Sequence, residues 1–401
     1  MRLPTSLVLR HIAATATVLT LLLPPAAPSM ASTAGANGKI AFMRNPGDAD
    51  IWSMNADGTG QVQLTNAVGT DSRPNYSPDG TRIAFVSYRN GDADVFVMRP
   101  NGSDEQVLVG GTGSQSDPSW SPDGVQLVYR NDTGLAKVDA DGTGKVQLTT
   151  NPSDSSPDWS PDGRTIVFES QGSGNFDIWA VNRAGGGRTQ LTSVPETDGD
   201  PSYSPAGNRI AFYSDRSGNS DVWRMNSDGS APFNLTGNPF ADLSPSWSPD
   251  GLQVAFGSSR DGNLEIYTMT LTASQTRRTN NSVIDGFAAW QPACTITGTR
   301  QANDITGTPA ADLICPGGGD DIVHGGSGND VIFGGGGSDR IVGQDGKDVL
   351  VGQGGPDQLE GSGNDDLLNS EDDIEGNDDL DGGPGSDICA RDPQDSAQQC
   401  P

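Results

Sequence analysis

The chain has 401 residues, with 52 acidic against 24 basic side chains and a net charge of −28. Its hydrophobic content, 33 %, is low for a protein organised round one large core, so repeats, staples or ions must supplement burial. The charge excludes nucleic acid and anionic lipid surfaces as partners.

Residues 1–31 carry Arg2 and Arg10, an apolar run over 12–23, and small residues Ser29 and Ala31 where a cut would fall. That pattern predicts a secretory signal peptide. Its apolar run falls short of the ~20 residues that a bilayer span requires. The mature protein is therefore expected to be exported, secreted or held at the cell surface, without membrane insertion.

From there the tetrapeptide SPDG returns at 77–80, 121–124, 160–163 and 248–251, with SPAG at 204–207, a period of 39 to 44 residues. Around each copy the order is constant: an aromatic, the turn, a strand such as IAF, a polar turn, a strand such as DIW, an NxDG turn and QLT. Runs of β-branched and aromatic residues bounded by Pro, Asp and Gly predict four short strands per unit. The IAF-type strand occurs at 40–42, 83–85, 127–129, 166–168, 210–212 and 254–256, which makes six units. The first unit lacks the leading aromatic, and AAWQP at 288–292 supplies it. Pairing the strand of Trp290 with that of Ile40 would close a ring and hide two edges. The predicted fold is all-β, a six-bladed propeller over 37–292 closed by its N- and C-terminal strands.

The succession of aromatic, SPDG, IAF and DIW resembles the TolB-type propeller family. The resemblance implies a protein-binding propeller, which in TolB is a periplasmic partner of a peptidoglycan-associated lipoprotein. Two departures, no α/β domain ahead of the blades and an acidic segment behind them, carry the fold across better than the partner.

Tyr76, Trp120, Trp159, Tyr203, Trp247 and Trp290 hold one repeat position, and Trp52, Phe96, Trp179, Trp223 and Tyr267 another. Residues recurring once per blade are expected to be inter-blade core before they are a sugar-stacking platform. Asp71, Gln115, Asp154, Asp198, Asp242 and Asp285 stand three residues before the proline, or its equivalent, of each leading strand. If that strand lines the axial channel, Asp71, Asp154, Asp198, Asp242 and Asp285 ring its mouth and would hold a cation or a basic peptide. The plainer reading is that aspartate caps a turn there. The NxDG copies, such as 226–229, read as hairpin turns.

Beyond residue 293 the charge concentrates: residues 294–401 hold 22 acids and four bases. Aspartate recurs every nine residues at Asp312, Asp321, Asp330, Asp339, Asp348, Asp357 and Asp366, and two residues after each comes Ile314, Val323, Ile332, Ile341, Leu350, Leu359 or Leu368. A three-residue insertion breaks the phase, which is recovered at Asp378 and Asp387, with Cys389 at the last inward position; Asn303 and Ile305 stand in phase ahead of the run. One aliphatic per nine residues does not offset backbone ordering at ~1–2 kcal/mol per residue. Ion binding is expected to supply the difference.

Segments such as GGSGNDVIF (325–333) and GGGGSDRIV (334–342) resemble the RTX family of calcium-binding nonapeptides. The resemblance implies a parallel β-roll over 294–401, two nonapeptides to a turn, with Ca²⁺ held by the nine aspartates and by carbonyls of the Gly-rich turns. Mg²⁺, which demands an octahedron and keeps its waters, suits such a site poorly. An acidic disordered tail would carry no such period.

Cys294, Cys315, Cys389 and Cys400 all fall in this segment without a CxxC, which argues against zinc. In an exported chain disulfides are expected. Pairing Cys294 with Cys315 and Cys389 with Cys400 would brace the two ends, and the other two connectivities stay open. His11 belongs to the leader and His324 to a variable nonapeptide position, so a Ser-His-Asp or Cys-His set is not available. The reading is not an enzyme but a secreted calcium-binding protein with a propeller for a protein or cell-surface partner. The alternatives are a TolB-like envelope-assembly protein that binds a cell-wall lipoprotein, and a carboxylate-dependent glycan hydrolase, for which no acid pair stands out.

Overall fold

The six IAF-type segments are buried along almost their whole length, as Ile83–Ser87 and Thr165–Ser170 illustrate. A strand this apolar needs a neighbour on each edge and a layer on each face. In the computed structural model, which describes residues 36–172, 174–370 and 377–400, each is the second strand of a four-stranded antiparallel blade. The leader expected at 1–31 lies outside the described residues.

Blade 2 runs Asp71–Tyr76, Ile83–Ser87, Asp94–Met98 and Gln106–Val109 from the axis outward. Blades 3 to 6 repeat that order from the inner strands Ser116–Trp120, Ser155–Trp159, Asp198–Tyr203 and Asp242–Trp247. Blade 1 is composite. Its inner strand is Ile284–Ala293, which pairs with Ala36–Asn45 so that Ile40 faces Trp290 and Ala41 faces Ala289. The two ends of the repeat array thus complete one sheet, as the truncated motifs predicted.

Each SPDG turn joins an inner strand to the next. Ser77 Oγ accepts the Arg82 N–H at 2.9 Å, and Gly80 turns the chain at φ +69, where a Cβ would run into the Pro292 carbonyl. The aromatic ahead of the turn goes into the blade boundary. Trp159 of blade 4 packs with Val128 and Leu135 of blade 3 and with Ile166, Phe168 and Val181 of its own blade.

The roll is two parallel sheets of six short strands. One contains Ile296–Thr297, Leu313–Cys315, Val331–Gly336, Val349–Gly354, Leu367–Asn369 and Ile388–Ala390; the other contains Asp304–Thr306, Ile322–Ser327, Arg340–Asp345, Gln358–Gly363, Asp379–Asp381 and Ser396–Gln398. Pairing is eighteen residues apart, Ile332 with Leu350 and Val323 with Ile341, so two nonapeptides make a turn. Ile305, Ile314, Val323, Ile332, Ile341, Leu350, Leu359, Leu368 and Leu380 stack into one buried cluster between the sheets. The disulfides are Cys294–Cys315 and Cys389–Cys400, with Cα atoms 6.0 and 5.8 Å apart. The first ties the exit of the propeller's closing strand to the roll; the second covers the far end of the aliphatic stack.

Truncating Trp159 to Ala leaves a cavity at the boundary of blades 3 and 4. The expected loss is ~3–5 kcal/mol, read as a lower denaturant midpoint with the roll's β signal unchanged.

Candidate metal centre

Where a nonapeptide opens on glycine, that glycine lies against the carboxylate five residues later; the repeat of Asp321 opens on Pro316 instead. A Cβ on Gly325 would sit 2.6 Å from Asp330 Oδ2 and 2.7 Å from the Gly343 carbonyl oxygen. On Gly334 it would meet the Gly352 oxygen at 2.6 Å and Asp339 Oδ2 at 2.7 Å; on Gly382 it would meet Asp387 Oδ2 and the Gln399 oxygen, both at 2.7 Å. A carboxylate oxygen and a carbonyl oxygen of the next turn therefore converge on a space that only glycine leaves open.

The other carboxylate oxygen is spent on the backbone. Asp330 Oδ1 accepts the N–H of Asp312 at 2.8 Å, Asp339 Oδ1 that of Asp321 at 2.8 Å, Asp348 Oδ1 that of Asp330 at 2.9 Å and Asp366 Oδ1 that of Asp348 at 2.9 Å. The rows run on through Asp357 and cross the insertion, where Asp378 Oδ1 takes the Asp357 N–H at 2.7 Å and Asp387 Oδ1 that of Asp366 at 2.8 Å. Each carboxylate is thereby fixed in orientation, with its second oxygen aimed at the glycine.

That second oxygen is the chemically telling atom. In Asp321, Asp330, Asp339, Asp348, Asp366 and Asp387 it is buried and receives no hydrogen bond. A buried acceptor without a donor costs ~1–3 kcal/mol, and more when charged. Burial accordingly pushes the carboxyls of Asp330 and Asp366 up to about 7 and that of Asp348 up to about 8, against the pull of the accepted N–H groups. Asp321 and Asp339 are raised for the same reason. Among the described residues no three His, Cys, Asp or Glu side chains form a cluster of their own. The repeat explains why: it contributes one carboxylate per nine residues, and the companion oxygens are carbonyls. Hard oxygens from side chain and backbone together suit Ca²⁺.

Asp312 differs from the rest, because its Oδ2 already takes the Thr308 N–H at 2.7 Å and hydroxyl at 2.8 Å. At the other end Asp395 joins the row, its Oδ1 accepting the Asn377 N–H at 3.1 Å and the Asp378 N–H at 3.3 Å. Sequence reading missed Asp395, since it follows Asp378 by seventeen residues where the period asks for eighteen. Its only signal is the aspartate placed directly ahead of the short strand Ser396–Gln398.

The aspartates expected to ring the propeller's channel mouth are placed elsewhere. Asp71, Asp154, Asp198, Asp242 and Asp285 are each 0 % exposed and paired with an arginine. Arg89 reaches Asp71 at 2.8 Å, Arg188 reaches Asp154 at 2.7 Å, Arg216 reaches Asp198 at 2.7 Å, Arg260 reaches Asp242 at 3.1 Å and Arg44 reaches Asp285 at 2.7 Å. Each guanidinium also lies over aromatic rings of its blade, as Arg188 does over Phe168 at 4.9 Å and Trp179 at 4.7 Å.

The ring about the axis is formed two residues later, by Arg73, Asp117, Ser156, Asp200, Ser244 and Phe287. All six have φ between 46° and 55°, the left-handed region that side chains enter at a cost of ~1–2 kcal/mol. A bulge falls at this point in every inner strand. Arg73 pairs with Asp117 at 2.8 Å, approaches Asp200 at 3.7 Å and covers Phe287 at 4.6 Å. Ser156 and Ser244 donate to Asp200 at 2.9 and 2.8 Å. Behind the ring, Glu169 accepts the Asp200 N–H at 3.0 Å and the Ser155 hydroxyl at 2.9 Å. Burial, reinforced by the Asp200 charge, pushes Glu169 up to about 7.

Residues 26–173 and 152–240 match the TolB beta propeller domain, and residues 295–323, 316–350, 342–374 and 375–389 match the RTX calcium-binding nonapeptide repeat. The chain belongs to the TolB β-propeller family and carries RTX calcium-binding repeats behind the blades. A TolB homolog of Chlorobium luteolum is 44 % identical over 54 residues, which is 13 % of this chain and 12 % of that protein. This chain thus spans a small part of the length of that relative. Among solved structures, TolB from Acinetobacter baumannii superposes with a TM-score of 0.57 at 21 % identity, over 64 % of this chain and 67 % of that one. A TolB from Agrobacterium tumefaciens, itself described as uncertain in assignment, gives 0.53 at 19 %, over 64 % and 100 %. At these identities the likeness is one of fold.

Glu169 makes the propeller's stability depend on pH. Below its unfolded value near 4.5 both states are protonated; between there and about 7 the native state holds the extra proton, so stability falls as pH rises, by up to ~1.4 kcal/mol per pH unit. Urea midpoints followed by tryptophan fluorescence should therefore drop from pH 5 to pH 8, and drop less in Glu169→Gln.

Proposed function

We propose that this is an exported calcium-binding protein in which the roll takes the metal and the propeller docks a protein or cell-surface partner. The observation that supports the metal is the buried Oδ2 atom, without a donor and aimed at a glycine, repeated from turn to turn. Asp321, Asp330, Asp339, Asp348, Asp357, Asp366 and Asp387 would be the carboxylate ligands, with carbonyls of the Gly-rich turns, while Asp312 and Asp378 stand toward the ends of the rows. Ca²⁺ in those positions would supply the positive charge that the segment's excess of acids lacks. The chain's own part is to hold the oxygens ready: the Oδ1 hydrogen bonds orient each carboxylate, the glycines keep the space clear, and the aliphatic stack keeps water from the inside.

Two disulfides agree with an oxidising compartment, and the leader expected at 1–31 would deliver the chain there. For the propeller, the reading rests on family membership, and the partner is proposed to meet the channel mouth at Arg73, Asp117, Asp200 and Phe287 rather than the five buried aspartates. TolB's own partner does not transfer on a fold likeness of 21 % identity.

Calorimetric titration of the full chain with calcium after chelator treatment tests the metal. Saturable binding in the ~10⁻⁴–10⁻³ M range of extracellular sites is expected, with no comparable response to magnesium. Gly334→Ala, which places a methyl between Asp339 and the Gly352 carbonyl, should lower the number of ions bound. Absence of calcium binding, or binding unchanged by both Gly334→Ala and Asp348→Asn, would contradict the reading.

A further inference from the structure

The two sheets of the roll are alike inside and unlike outside. On the sheet of Val331–Gly336 the residues flanking the inward aliphatic are apolar at Leu313, Val331 and Phe333, Val349 and Val351, Leu367 and Ile388, with Thr297 and Asn369 the polar exceptions. At the same places on the other sheet stand Asp304 and Thr306, Ile322 and His324, Arg340 and Val342, Gln358 and Glu360, Asp379 and Asp381. The nonapeptide period is thus overlaid by an eighteen-residue alternation of apolar and polar outer faces. The inner stack and the calcium ligands do not require that alternation.

The apolar face is buried. Leu313, Phe333, Val349, Val351 and Leu367 are 2 to 4 % exposed and form a second cluster apart from the inner stack. What covers the face is the propeller. A chamber of 760 Å³ lies between Leu313, Val331, Val349 and Leu367 on one side and the aromatics and SPDG prolines of the blades, among them Trp120, Trp159, Trp247 and Trp290, on the other. Asp330 and Asp348 border the same chamber. At its edge Arg164 donates to the Ser386 carbonyl and stands 4.0 Å from Asp365, and Asn369 Nδ2 reaches Asp123 Oδ2 at 3.4 Å. Gly163, in an SPDG turn, approaches Leu367 so closely that a Cβ would be 3.0 Å from its methyl. No free linker intervenes, since the closing strand ends at Ala293 and Cys294 is already joined to Cys315.

We infer that the roll is a calcium-dependent lid on the SPDG face of the propeller: the apolar outer face exists only when the two sheets are formed, and in their absence the aromatic and proline ring of the blades is left open to solvent or to another occupant. This rests on the calcium reading above. Metal bound by the roll then changes what the propeller can bind at that end of its axis, although none of the metal ligands belongs to the propeller.

The tryptophans allow a direct test, because all seven lie between Trp52 and Trp290 and residues 294–401 contain none. In the full chain, β-sheet circular dichroism reads the roll's folding and acrylamide quenching of tryptophan reads the cover over the blades. Calcium added after chelation should raise the β signal, lower the quenching constant and shift emission to the blue. Leu367→Asp on the lid, and Arg164→Glu on the propeller, which leaves the roll's own sequence untouched, should keep the β-signal response while the quenching response is lost or moves to higher calcium. A β-signal response with no change in quenching in the unaltered chain would overturn the lid and leave calcium binding intact. No β-signal response to calcium would overturn both.

Discussion

One oxygen atom per nonapeptide sets the terms for the C-terminal quarter of this molecule. In Asp330, Asp348 and Asp366 the Oδ2 is buried beside a glycine and takes no hydrogen bond. A charge in such a position is tolerated only with a counter-charge close by. The inner stack of single Ile, Val and Leu residues is too thin to hold those carboxylates together. The glycines, costly in chain entropy, are explained by the same atom, because a methyl on Gly325 or Gly334 would occupy the space before it.

The propeller meets its acids differently. There the five aspartates that lead the inner strands, Asp71, Asp154, Asp198, Asp242 and Asp285, each have an arginine, as Asp154 has Arg188 and Asp198 has Arg216, and the guanidinium is in turn covered by aromatics. The charge of these five carboxylates is met within the protein, each by an arginine side chain. The contrast between the two halves is between carboxylates supplied with a cation by the chain and carboxylates that require one from solution. The contact between the halves joins the two economies, since the sheet that abuts the blades is also the one whose aspartates include Asp330 and Asp348.

Much of this was legible in the residues. Six IAF strands, the truncated first unit and the AAWQP segment gave the number of blades and the Ile40–Trp290 closure, because strand pairing follows the hydrophobic pattern. The nine-residue rows were equally plain, and both disulfides join the cysteines favoured as end braces. The channel ring was misplaced by two residues, from Asp71 to Arg73 and from Asp198 to Asp200, because a bulge in each inner strand re-aims the side chains, and nothing in a run such as DSRPNY announces a positive φ at its third residue. The lid face was present in the sequence as Leu313, Val331, Val349 and Leu367, but it emerges only when alternate nonapeptides are compared, which presupposes knowing that two of them make a turn. Asp395 escaped because the final spacing contracts by one residue.

The central claim, that the rows of aspartates are held in register by metal, is tested most directly by amide hydrogen exchange in the full chain. The backbone N–H groups of Asp312, Asp330, Asp348 and Asp366 donate to the carboxylate one turn on, so they report whether the turns are stacked. Strong protection of these amides in calcium and rapid exchange in chelator, with the blade strands protected in both, is the predicted result. Equal protection of the roll amides in both conditions would contradict it.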